Sequence, residues 1–125
     1  MSKLPEILLN AWQTKTNPPI MTTVDENGVP NSIYVKGVSI FNDEKIIIAN
    51  NYFDKTLKNI KNSCLGNFLF ITDERKPYQL KGTYEYFTEG PAFDNMKTWN
   101  PPRHPGHGVA VLTVQEIYSG SDIIK

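Results

Sequence analysis

The sequence predicts a mainly β domain of the α+β class: a small barrel of six or seven short strands with two or three small helices added to it. Three observations carry this. Short runs rich in β-branched and aromatic residues recur along the chain, separated by turn signals such as Asp25-Glu26-Asn27-Gly28 and Asn42-Asp43-Glu44-Lys45. Helical periodicity is confined to brief stretches. The strand–helix alternation of a doubly wound sheet is absent, as are Gly-x-Gly-x-x-Gly and the phosphate-loop lysine motif.

The elements follow in order. Leu4, Ile7, Leu8, Ala11 and Trp12 recur at helical spacing, with Pro5 tolerated in the first turn, and Asn17-Pro18-Pro19 stops that helix. Ile20 to Val24 reads as a strand, returned through the Asn27-Gly28 turn into Val29 to Lys36, an edge strand because Pro30 cannot donate to a ladder. Gly37 permits a bend before the extended run Val38 to Phe41. Ile46, Ile47 and Ile48 are consecutive β-branched residues, the pattern of a strand buried on both faces. A polar elbow, Asn50 to Asp54, leads into a helix carrying Leu57, Ile60 and Cys64 on one side, with Asp54 as its expected N-cap.

Beyond it, Asn67 to Thr72 is strand-like and Asp73 to Pro77 is turn material. Tyr78 to Thr88 is a long strand with Leu80, Gly82, Tyr84 and Tyr86 on one face; Gly82 inside it signals a bulge or a close backbone approach. Pro91 to Thr98 forms a short helix, Asn100 to Gly108 a rigid loop, and Val109 to Tyr118 the last strand before a polar tail.

Composition narrows the function. The 125 residues form one domain, residues 1–125, with 13 basic and 13 acidic side chains and a pI near 6.7. That balance argues against nucleic acid and against a membrane surface as partners. The single cysteine, Cys64, allows no internal disulfide and is expected to be a small core residue. No run approaches the length of a membrane span and no signal-peptide core stands at the N-terminus, so a cytoplasmic location is expected.

The start of the central helix is chemically informative. Its first turn already carries partial positive charge, which disfavours lysine, yet Lys55 and Thr56 stand there. Backbone N–H groups, a hydroxyl and an ammonium converging on one phosphate would explain them. The alternative is a solvated helix on which Lys55, Lys58 and Lys61 simply face water.

The order strand, Asn51-Tyr52-Phe53-Asp54-Lys55-Thr56, helix, strand resembles the flavin-binding segment of the pyridoxamine 5′-phosphate oxidase-like split-barrel family. That family's segment is an aliphatic strand, Asn-Tyr-x-Ser-Arg-Lys and a helix ending in Asn, here near Asn62; its smaller flavin-binding members favour the Lys-Thr pair. Pro30-Asn31-Ser32-Ile33-Tyr34-Val35-Lys36 has the shape of the family's preceding strand, with Asn31 where the oxidases carry Arg, and Leu80 to Phe87 resembles its glycine-containing strand.

The resemblance, over about Ile20 to Tyr118, implies a six-stranded antiparallel split β-barrel with small flanking helices. It further implies a homodimer holding flavin mononucleotide (FMN) in clefts between subunits. Lys55 and Thr56 would hold the phosphate with help from Lys36 or Asn31, and Ile33 and Tyr34 would lie near the ring. The backbone over Ile48 to Asn51, including Ala49 and Asn50, would line the isoalloxazine, and Trp99 could reach over a flavin face.

The oxidases proper end in an Arg- and His-bearing segment that binds substrate; this chain does not, so vitamin B6 oxidation is not expected. The implied function is an FMN-dependent oxidoreductase passing hydride or electrons, fed by a small-molecule or protein donor. The alternatives are a non-catalytic FMN carrier or redox-sensing module, or a barrel using haem or a deazaflavin. His104 and His107, three apart in the Pro/Gly loop, lack partners for a metal site and read as loop residues without a role; Trp12 reads as core. The scattered carboxylates offer no general acid–base pair.

Overall fold

The computed structural model describes residues 3–124. Met1 and Ser2, the start of the stretch considered above for a leader segment, and Lys125 lie outside them. The element order is α1 (Glu6–Gln13), β1 (Ile20–Val24), β2 (Pro30–Tyr34), β3 (Val38–Phe41), β4 (Lys45–Asn50), α2 (Lys55–Ile60), β5 (Cys64–Ile71), β6 (Pro77–Phe87), α3 (Pro91–Trp99), β7 (Gly108–Ser119) and β8 (Asp122–Ile124). All pairings are antiparallel, in the spatial order β2-β1-β5-β6-β7-β4-β3, with β8 added to β7. The eight strands among the described residues exceed the six expected. β8 was missed because its run is only three residues long and sits in a polar tail; Gly120, at φ +60°, makes the tight return that lets it pair.

The fold is an antiparallel split barrel, and its seam is set by the β2–β3 connection. These two strands end the path on opposite sides, yet only Val35, Lys36 and Gly37 separate them. The Val35 N–H still pairs with the Pro19 carbonyl beside β1, while the Gly37 carbonyl already accepts from Ala49 N–H at the end of β4. The sheet therefore curls round until its edges approach without forming a ladder.

The triple isoleucine run is explained by two separate apolar layers. Ile46 and Ile48 point into the barrel, among Met21, Phe68, Leu80 and Leu112. Ile47 and Ala49 point outward, under α3, among Met96, Val109 and Val111. α1 plugs one end: Leu8 and Trp12 are buried, and the Trp12 ring lies 5.6 Å from Phe68 and 5.4 Å from Phe70. Ile7, expected on that apolar face, is 43% exposed. The long strand β6 alternates as its sequence implies, with Tyr78, Leu80, Gly82 and Tyr84 buried. The register with β7 slips between Lys81 and Gly82, and a Cβ at Gly82 would collide with the Thr113 carbonyl, so the glycine marks both a bulge and a close approach.

Three further local expectations need correction. Asp54 precedes α2 but its side chain makes no capping bond. The helix ends at Ile60 rather than near Asn62. Cys64 opens β5 instead of lying on the helix, because Ser63, at φ +60°, turns the chain out of it. Cys64 is half-buried, and burial pushes its thiol above the ordinary value, opposed by a hydrogen bond with the backbone of Val24. No helix among the described residues is long and apolar enough to cross a membrane.

Candidate functional site

The seam between β2 and β3–β4 opens into a cleft of about 620 Å³. One wall is the end of β2 and its continuation, Ile33 to Val38; another is Ala49 and the elbow Asn51 to Phe53; the third is the Trp99 to His104 segment. Sequence alternation shapes the first wall: on β2, Asn31 and Ile33 turn partly inward while Ser32 and Tyr34 face out.

A clasp of three hydrogen bonds holds the second wall to the third. Asn51 Nδ2 donates to Asn100 Oδ1 at 3.1 Å, and Asn100 Nδ2 returns a bond to Asn51 Oδ1 at 2.9 Å. The Gly106 N–H also donates to Asn51 Oδ1, at 3.0 Å. Gly37 packs against the clasp: a Cβ there would lie 3.3 Å from Ala49 Cβ and 3.5 Å from Asn100 Oδ1. Asn50 works from behind. It is 2% exposed; its Nδ2 donates to Tyr86 Oη at 2.8 Å, its Oδ1 accepts Phe53 N–H at 2.9 Å, and its carbonyl accepts His107 N–H. With its amide group turned inward, Asn50 shapes the elbow rather than facing the cleft.

Of the predicted residues, Ile33, Tyr34, Lys36, Ala49, Asn51 and Trp99 line this cleft together. The Trp99 indole N–H is engaged by Asn95 Oδ1 at 3.0 Å, leaving its ring as wall. The Ala49 N–H is spent on Gly37 and is not available to a ligand. Asn31 and Lys55 lie instead in an adjoining groove of about 1000 Å³, with Lys58, Asn59 and Asn62 and with the carboxylates of Asp25 and Glu26 on its far side. Thr56 sits beneath, 1% exposed, and accepts a hydrogen bond from Asn31 Nδ2 at 3.0 Å, which leaves its own hydroxyl hydrogen to donate. β2 thus runs from one depression to the other.

The sequence reading missed Asn100, Arg103 and His104. Asn100 is buried at 8% exposure, and the only hint of it was its place at the head of Asn-Pro-Pro. His104, read as a loop residue without a role, lines the cleft: its Nδ1 is 3.0 Å from Tyr52 Oη, and the two rings meet edge to face at 5.7 Å. His107 is exposed and outside the cleft lining. No group of three or more His, Cys, Asp or Glu side chains among the described residues could hold a metal ion.

A split barrel whose unclosed seam holds a largely apolar cleft beside a polar, amide-rich groove defines a class of small cofactor-binding scaffold. The chain belongs to the pyridoxamine 5′-phosphate oxidase family, whose model matches residues 9–119. A relative from Methanocaldococcus jannaschii, an uncharacterized protein, is 34% identical over 114 residues, covering 84% of this chain and 76% of its own. HupZ of Group A Streptococcus has the same fold, with a TM-score of 0.78 at 24% identity over 93% of each chain. So does an FMN-binding protein of Syntrophomonas wolfei, with a TM-score of 0.73 at 23% identity over 96% of this chain and 89% of that one.

Proposed function

We propose that this protein binds FMN along β2 and uses it as a redox centre, passing hydride or electrons between a donor and a substrate. The observation that carries the reading is the way β2 joins the two depressions. Asn31 to Val35 is extended, and four steps of about 3.3 Å cover roughly 13 Å. That span suits a flavin ring in the cleft and its phosphate in the groove. Membership of the family and the FMN-binding protein that shares the fold support the choice of ligand.

The residues fit such a group chemically. Ile33, Val35, Val38 and Phe53 offer apolar walls for a flat ring and exclude water from it. At the other end Lys55 supplies charge and the remaining Asn31 N–H a donor to phosphate oxygens, with the buried Thr56 hydroxyl holding the Asn31 amide from beneath. With Asn31 where an arginine would be bidentate, this end relies on fewer charges. Bound FMN would supply the one- and two-electron chemistry; the chain's part is to orient the ring and shield it. The protein acts as a homodimer in this reading, with exposed Tyr34 and Tyr52 at the cleft mouth available to a second copy.

The test is the chromophore. Purified protein should carry or take up FMN with an oxidised-flavin spectrum, and should bind FMN on the order of 100-fold more tightly than riboflavin if two charge-assisted bonds hold the phosphate. Equal affinities would remove the phosphate assignment, and absence of FMN binding would remove the function. Bleaching by NADH or NADPH without a partner protein marks an enzyme; bleaching only through a partner marks a carrier. Sedimentation showing a monomer that binds FMN at full affinity would refute the dimer.

A further inference from the structure

The β1–β2 turn carries a chemically reactive pair of its own. Asn27-Gly28 is the one Asn-Gly step in the chain, and both residues are exposed. Elsewhere the amides of Asn31, Asn50, Asn51, Asn59, Asn67 and Asn100 are each held in a hydrogen bond to another side chain. Asn27 enters the turn's hydrogen bonding through its backbone N–H, which donates to Asp25 Oδ1 at 2.8 Å. The nitrogen that follows it belongs to a glycine at φ +80°, where even an added Cβ would meet nothing within 4 Å. With no side chain on that residue and open space around it, the nitrogen is sterically free to approach the Asn27 amide carbon.

We propose that Asn27 is a site of spontaneous deamidation, with water as the only co-reactant, and that the carboxylate it creates weakens anion binding in the adjoining groove. The Gly28 backbone nitrogen, once deprotonated, attacks Asn27 Cγ. The N–Cγ bond forms, the Cγ–Nδ2 bond breaks, and ammonia leaves with the proton. Water then opens the succinimide ring at either carbonyl, giving aspartate, or isoaspartate with the main chain routed through Cβ. Ammonia departs and water enters, so nothing is oxidised or reduced. Formal net charge falls from zero to one negative.

The turn itself sets the pace. Gly28 N–H is tied to the Asp25 carbonyl at 3.0 Å, and Asp25 Oδ1 also accepts Val29 N–H at 2.9 Å. Those bonds have to open before the nitrogen can turn toward Asn27 Cγ, so Asp25 guards the step. Asp25, Glu26 and Gly28 line the groove that holds Asn31 and Lys55. A third carboxylate on this turn makes the groove less attractive to an anion, and isoaspartate adds an atom to the main chain leading to Asn31. The effect on affinity rests on the FMN reading; the modification itself does not.

Warm incubation of the purified protein at mildly alkaline pH tests this. Intact mass should rise by about one dalton, with fragmentation placing the change at residue 27 in two chromatographically separate products. Asn27→Gln should gain no mass under the same conditions, because its longer side chain has to close a larger, slower-forming ring. Asp25→Ala should deamidate about threefold or more faster, having lost the bonds that hold the turn. Aged parent and Asn27→Asp should bind FMN about two- to fivefold more weakly than fresh parent at low salt, with riboflavin affinity unchanged. An unchanged mass, or an equal gain in Asn27→Gln, would overturn the site. A modified protein that binds FMN as tightly as the fresh one would overturn the link to the groove. Mass gain at residue 27 in a protein that takes no FMN even when fresh would keep the site and remove the cofactor.

Discussion

The Asn51–Asn100 clasp makes the sharpest stability prediction, because its bonds are shared unequally between two residues. Asn51→Ala removes three hydrogen bonds, those to and from Asn100 and that from Gly106 N–H. At about 1 kcal/mol each, and with the buried Asn100 amide left unpaired, the loss is about 3 kcal/mol. Asn100→Ala removes only the two mutual bonds, a loss of about 2 kcal/mol. The double variant can lose no more than the same three bonds, so it should be only as unstable as Asn51→Ala, a coupling of about 2 kcal/mol. For a domain of this size the single Asn51 change should lower Tm by roughly 10 °C. Urea titrations of the four proteins measure the cycle, and hydrogen exchange at Gly106 should quicken in Asn51→Ala but much less in Asn100→Ala. If the two single effects add to within about 0.5 kcal/mol, the amides are not acting as one unit and the clasp has been misassigned.

Other predictions follow from single sites. Lys55→Glu should weaken FMN binding by about 2–4 kcal/mol, by lost attraction and added repulsion, whereas Lys61→Glu, beyond the end of α2, should leave it unchanged; equal affinities in fluorescence titration would return Lys55 to a solvated face. Gly82→Ala should destabilise by about 3 kcal/mol or more, because its Cβ meets the Thr113 backbone, while Gly120→Ala meets only the strain of a positive φ in open space and should lose about 1 kcal/mol; similar denaturation midpoints would contradict the packing. Tyr84 is fully buried with its hydroxyl donating to the Asn67 carbonyl, and burial, then the neighbouring Cys64, pushes its phenol well above the ordinary value. A raised folded value means the neutral form's contribution is complete below the unfolded value, about pH 10, and is lost as pH rises through the folded value. The parent's urea midpoint should therefore fall more steeply above that pH than that of Tyr84→Phe; parallel curves would show that folding does not raise the phenol's pKa.

The strands and helices were legible where local pattern and tertiary demand agree. The isoleucine run of β4 announced a doubly covered strand, and Gly82 announced its bulge, because each feature answers a constraint within a few residues. Asp54 failed as a cap because the chain enters α2 from an elbow whose geometry is set by Asn50, a residue tied to β6 and β7. The two depressions divided the predicted site in a way the sequence does not record, since Ile33 and Asn31 are two apart on one strand. Asn100 and His104 were illegible because their partners, Asn51 and Tyr52, are 49 and 52 positions away. Only a fold can bring those pairs together.

The short β2–β3 link also governs how the cleft can move. Four Cα steps separate Tyr34 from Val38, a tether of at most about 14 Å, and both of its ends are fixed by pairing. The two barrel edges therefore cannot swing apart like jaws to admit a molecule. A molecule entering at the mouth by Tyr34 and Tyr52 meets walls already held at a fixed separation. The amide clasp and the Tyr52–His104 contact hold the far wall against the elbow, so the width of the cleft is set before any ligand arrives.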